Sequence, residues 1–128
     1  MNGGRLTCAA FTALAMNAAL AQGGPFAKPP PLPYENGEQV YRAICQGCHM
    51  PDAKGAQGAG TYPALAENAR LAAAPYPALV VLNGKSGMPP FRRYLDDAQV
   101  AAVVNYVRTN FGNRYTDVLS ADDVKKLR

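Results

Sequence analysis

The 128-residue chain has no tryptophan, one histidine (His49) and three cysteines, one of which, Cys8, lies among the first ten residues. This shortage of soft ligands excludes a good deal. Once Cys45, Cys48 and His49 are used, a structural zinc site lacks a fourth protein ligand of the usual kind. There is no Lys/Arg run, no basic stripe interleaved with aromatics and no groove-reading motif, so the formal charge of +4 is a mild bias and nucleic-acid binding is set aside. No convincing alternation of apolar and polar residues marks a strand, and no internal repeat or second domain boundary is visible.

What is present begins with a leader. Arg5 gives a short basic start, Leu6 to Leu20 is mostly Ala, Leu, Phe and Met, and Ala19-Leu20-Ala21 places small residues where a signal peptidase reads them. Residues 1–21 are therefore expected to be an export signal cleaved after Ala21. The stretch is too short to span a membrane and is interrupted by Thr7, Thr12 and Asn17, and no later segment is apolar enough to do so. Cys8, Met1 and Met16 leave with it. Cleavage removes Arg5 and no acid, so +4 becomes +3, and the remainder suffices for one small domain with a marginal core.

Residues 22–34 form a Pro-rich arm, Gly23-Gly24-Pro25 and then Lys28-Pro29-Pro30-Pro31-Leu32-Pro33, which favours extended polyproline II. Phe26, Leu32 and Tyr34 are the side chains able to pin it to the domain. The folded part, residues 35–113, opens with a helix capped by Asn36, with Val40, Tyr41 and Ile44 at helical spacing up to Cys45. A second helix is expected over Tyr76 to Asn83, after Pro75 and before Gly84, and a third after Leu95 with Asp96 as its cap and Val100, Val103, Val104 and Val107 as its apolar face. Gly112 and Asn113 close it. Residues 114–128 are a C-terminal extension in which Ser120 caps a short helix. The class is all-α.

The chemistry sits in Cys45-Gln46-Gly47-Cys48-His49. Two cysteines separated by two residues can each add across a haem vinyl group, and the histidine that follows is then held beneath the iron. A redox dithiol would want a βαβ context, which is missing; a structural disulfide is the remaining alternative.

With these residues the chain resembles the class I c-type cytochromes, over roughly Tyr34 to Asn113. The resemblance rests on Gly37 and Tyr41 ahead of the motif, Tyr106 on the long helix, Pro51-Asp52-Ala53-Lys54-Gly55, Tyr62-Pro63-Ala64-Leu65, and Gly87-Met88-Pro89-Pro90-Phe91. It implies one haem c attached through Cys45 and Cys48, His49 as proximal ligand with its ring N–H on the Pro63 carbonyl, Gly37 and Tyr41 packed against Tyr106, and haem attachment outside the cytoplasm. It also implies Met88 as the sixth ligand, 39 residues beyond His49. Pro89 keeps Met88 extended and Pro90 stiffens the loop, which lowers the entropy lost on ligation. Met50 adjoins His49 and cannot reach the opposite face.

Two axial ligands leave no open position for substrate, so the expected function is single-electron transfer, not catalysis. A thioether raises the potential relative to two nitrogens. Ile44, Leu65, Leu79, Val80, Phe91 and Leu95 are expected around the haem, and Tyr62, Arg70, Arg92 or Arg93 near its carboxylates. Partner docking is expected through a small uncharged patch that includes Gln46, Met50, Ala53 and Pro89, with modest salt dependence. The Asn83-Gly84-Lys85, Val104-Asn105-Tyr106-Val107-Arg108 and Ser120-Ala121-Asp122-Asp123-Val124 stretches are similar to cytochromes that accompany bacterial periplasmic dehydrogenases. That likeness implies a periplasmic dehydrogenase as donor and a respiratory-chain acceptor. The alternatives are a donor to a terminal oxidase or reductase and, if Met88 is labile, a ligand-binding or peroxidatic haem protein. N-terminal sequencing of the exported protein should start at Gln22; a start at Met1 would remove the leader from this reading.

Overall fold

The computed structural model describes residue 30 and residues 32–128; the leader, Cys8, Phe26 and most of the Pro-rich arm lie outside the described residues. Helices carry the architecture: α1 (Gly37–Val40), a π-helical turn (Tyr41–Cys45), α2 (Gln46–His49), a 3₁₀ turn (Ala69–Leu71), α3 (Pro75–Asn83), α4 (Asp97–Thr109) and α5 (Ala121–Lys126). The first three run on as one helix, since Val40, Tyr41, Cys45 and Gln46 all keep right-handed helical backbone. Two strands of two residues each, β1 (Ala56–Gln57) and β2 (Thr61–Tyr62), pair antiparallel, a small addition to the helical class read from sequence. No helix among the described residues is long and apolar enough to cross a membrane.

The caps are as the sequence indicates. The Asn36 side chain accepts from the Gln39 N–H, Asp96 and Gln99 form a reciprocal capping box on α4, and Ser120 and Asp123 do the same on α5. α3 starts one residue earlier than expected, with Pro75 as its first helical residue. The π-helical turn was not expected. It carries an extra residue between the Gly37/Tyr41 part of the helix and the Cys45/Cys48/His49 part, and so rephases one against the other.

The helical run 37–49 crosses α4 at Gly37, where a Cβ would lie 2.1 Å from the Ala102 carbonyl oxygen and 2.6 Å from the Tyr106 Cβ. Only a glycine permits that approach. Above the crossing, Tyr41, Tyr106 and Phe111 form a triad with centroids 5.0 to 5.7 Å apart, and the Tyr106–Phe111 pair meets edge-on. Val100, Val103, Val104 and Val107 of α4 are buried beneath it together with Val40, Leu82 and Leu95.

Both ends of the domain are tied to α4 by polar side chains. The Gln99 amide donates to the carbonyls of Leu32 and Tyr34, so the end of the arm is fastened to the helix and not merely adjacent to it. Asn105 donates to the Leu119 carbonyl at 2.8 Å and accepts from its N–H at 2.9 Å. Arg108 is fully buried; it donates to the carbonyls of Leu71, Ala72 and Asp117, and its guanidinium pairs with the Asp117 carboxylate. That guanidinium holds the Asp117 carboxyl below its usual range. With Val124 fully buried and Leu119 nearly so, residues 114–128 complete the core.

Gly37→Ala should lower the urea midpoint by the equivalent of about 3 kcal/mol or more, because backbone and not a pliable side chain blocks the added methyl. A midpoint within error of the parent would contradict the crossing as described.

Candidate functional site

Cys45, Cys48 and His49 stand at positions i, i+3 and i+4 of the helical run, spacing that puts them on one face. Both cysteines are free thiols, Cys48 exposed and Cys45 half-buried. Burial, and then the neighbouring Cys48, push the Cys45 thiol up to about 12.

His49 is 8% exposed, and its Nδ1 lies 2.9 Å from the Pro63 carbonyl oxygen. A carbonyl only accepts, so the Nδ1 proton is donated to it, and in the neutral ring the lone pair able to bind a metal is that of Nε2. The loops that bring Pro63 there are specific. Gly55, at φ 69°, donates to the His49 carbonyl at 3.1 Å, and a Cβ on it would come within 2.1 Å of the Tyr62 carbonyl oxygen and 2.8 Å of the Pro63 carbonyl carbon. Ala53, fully buried, accepts from the N–H groups of Leu65 and Ala66, so the chain after Pro63 is stitched to the loop after His49. Asn113 closes the same loop from the far side, donating to the carbonyls of Leu65 and Val107 and accepting from the Asn68 N–H.

Met88 sits in a separate, self-bracing loop. Its N–H donates to the Lys85 carbonyl at 2.9 Å and its carbonyl accepts from the Lys85 N–H at 3.1 Å, across a tight turn in which Ser86 has φ 52°. The loop then returns to α3, where Phe91 and Arg92 donate to the Val81 and Leu82 carbonyls. These backbone bonds fix the course of the chain at Met88. Its side chain is half-buried, against the exposure of Pro89 and Pro90 that follow it.

Other expected residues divide. Ile44, Leu65 and Phe91 are half-buried against the core, while Leu79 is 39% exposed on α3. Leu95 is buried between helices and Ala53 beneath a loop, so Leu95 is ordinary core and Ala53 is not part of any docking patch. Arg92 donates to the Asn83 side chain and the Arg128 carbonyl, which occupies it away from the haem motif. Arg70 lies on an open cleft of about 500 Å³ with Tyr76, Lys85 and three alanines. The sequence gives no sign of Gln99 as a tie to the arm, and it marks Asn113 only as a helix end and Arg108 only within a family-like stretch, not as the hydrogen-bonding hubs they are. The one signal available for Arg108 was its position, one turn beyond Val104 on an otherwise apolar stripe.

The donor set fits haem c: two thiols able to form thioethers, an imidazole with its second nitrogen already engaged, and a thioether on a braced loop. A helical domain with this motif is a cytochrome c domain. Residues 33–107 match the family described as Cytochrome C oxidase, cbb3-type, subunit III, and the chain belongs to that family. It is similar to the cytochrome c subunit of the quinone-dependent alcohol dehydrogenase of Gluconobacter oxydans (31% identity over 105 residues), the cytochrome subunit of the fructose dehydrogenase of Gluconobacter japonicus (32% over 108) and the cytochrome c subunit of the gluconate 2-dehydrogenase of Pantoea cypripedii (32% over 108). These alignments take in 72–73% of this chain but only 22–24% of each relative, so the chain spans under a quarter of the length of the curated proteins it matches.

Gly55→Ala should separate Pro63 from His49 and lower stability, since the added methyl meets backbone and the φ of 69° is strained for alanine. The check is the exchange rate of the His49 ring N–H in the haem-loaded protein, expected to rise; an unchanged rate would show that Pro63 does not depend on this close approach.

Proposed function

We propose that this chain is a single-electron carrier of the class I cytochrome c type, with one haem c held covalently through Cys45 and Cys48 and ligated by His49 and Met88. The observation that supports the reading is the His49–Pro63 hydrogen bond, which engages Nδ1 and leaves Nε2 as the ring nitrogen open to a metal. Haem c supplies a one-electron ferric/ferrous couple. The chain's own residues set its conditions: Nδ1–H on the Pro63 carbonyl makes the ligating nitrogen more electron-rich, the Met88 thioether favours the ferrous state, and half-buried Ile44, Leu65 and Phe91 limit water. With His49 and Met88 both holding the iron, no position would stay open to a substrate, and the activity would be electron transfer and not turnover.

The donor is proposed to be a periplasmic dehydrogenase acting on a small organic substrate, since three similar proteins are named as cytochrome subunits of dehydrogenases for an alcohol, fructose and gluconate. Electrons would pass on to the respiratory chain, with the protein exported and cleaved after Ala21. A second reading, donation to a terminal oxidase, is favoured by the family description, which names an oxidase subunit. The two separate in one experiment. Oxidised holoprotein mixed with periplasmic fractions should be reduced when the right small substrate is added; rapid reoxidation by host membranes with no reduction by any fraction would favour the oxidase reading.

Met88→Ala should lower the midpoint potential by on the order of 0.1 V and let the ferrous protein bind carbon monoxide at neutral pH. An unchanged potential, or tight carbon monoxide binding by the parent protein, would reject Met88 as a stable ligand and return the ligand-binding alternative.

A further inference from the structure

Met50, directly after His49, has φ 67° and ψ 158°, backbone essentially confined to glycine. Such a conformation persists only where its surroundings over-determine it. Here the Met50 N–H donates to the Gln46 carbonyl at 3.0 Å, and the Met50 carbonyl accepts from the Ala53 N–H at 3.1 Å and from the Tyr41 hydroxyl at 2.7 Å. The first two bonds come from the adjoining turns. The third comes from a side chain two turns back along the helix, whose ring is 1% exposed and held by Tyr106 and Phe111. Its hydroxyl cannot swing aside without disturbing the helix crossing.

The consequence falls on His49. Its carbonyl is bound by the Gly55 N–H, its ring by Pro63, and Met50, the residue that follows it, is the strained one. Loss of the Tyr41 bond to the Met50 carbonyl would let Met50 relax toward ordinary backbone and carry the end of the helix with it. We propose that Tyr41 is a positioning residue for His49: its hydroxyl holds the strained Met50 peptide so that the imidazole meets the Pro63 carbonyl, and the packing of the helix crossing is thereby transmitted to the axial site. This rests on the reading of His49 as an iron ligand.

The test uses the reduced, diamagnetic holoprotein and follows exchange of the His49 ring N–H by NMR. Tyr41→Phe keeps the ring in its triad and removes only the hydroxyl; exchange is expected to quicken roughly tenfold or more. Adding Met50→Gly, which makes the same backbone conformation unstrained, is expected to restore the slow rate. An unchanged rate in Tyr41→Phe, or no restoration in the double variant, overturns the proposal. Should Tyr41→Phe fail to accumulate, Met50→Gly is compared with Met50→Ala in urea: glycine the more resistant supports strain at this peptide, and alanine the more resistant overturns it. Parent holoprotein without the ring-proton shifts of an iron-bound imidazole would remove the axial-ligand reading as well, and that failure is visible before any variant is made.

Discussion

The contact on which the rest depends is the crossing of the helical run 37–49 over α4, closed by Gly37 against the Ala102 carbonyl. Two helices at ordinary separation would leave Tyr41, Tyr106 and Phe111 too far apart to form one cluster, and the Cys45–His49 face would have no fixed height above the core. The crossing joins residues some sixty-five positions apart in sequence, so its loop-closure entropy is set against a small buried core. The aromatic triad and the valine face of α4 offset that cost by burying large side chains at a single point.

From that fixed point the two halves of the candidate site are built differently. The His49 half is held by tertiary contacts: Pro63 reaches the ring only because Gly55 lets two loops touch and because Ala53 and Asn113 bind the chain beyond it. The Met88 half is local. Lys85 and Met88 pair within one turn, and the loop is anchored on the last turn of α3. A ligand on a local loop can be lost and regained without unfolding the domain, whereas loss of the His49 geometry requires the long-range contacts to break.

The sequence made the helices legible because their ends carry specific chemistry. Asn36, Asp96 and Ser120 each accept a backbone N–H as their types predict, and Pro75 and Gly84 bound α3. The residues Cys45, Cys48 and His49 were legible for the same reason, since local spacing decides which face they share. What was not legible depends on partners distant in sequence. Arg108 looks like the last-turn cation of an amphipathic helix until Leu71, Ala72 and Asp117 are brought to it. Gln99 completes a cap with its oxygen and fastens the Pro-rich arm with its nitrogen, and only the first of these leaves a mark in local sequence. The π-helical turn has no signal of its own; its five residues are all compatible with an ordinary helix.

The proposed stoichiometry also constrains the partner. The chain contains one Cys-x-x-Cys-His motif, and the alignments match it to less than a quarter of each larger cytochrome subunit. On the proposed reading it carries one electron at a time. Oxidation of an alcohol or a sugar releases two, so a dehydrogenase that feeds this chain must hold the second electron on a centre of its own, or discharge it to a second copy, between successive encounters. The interface therefore has to release as readily as it binds. An interface of that kind is small and only partly apolar.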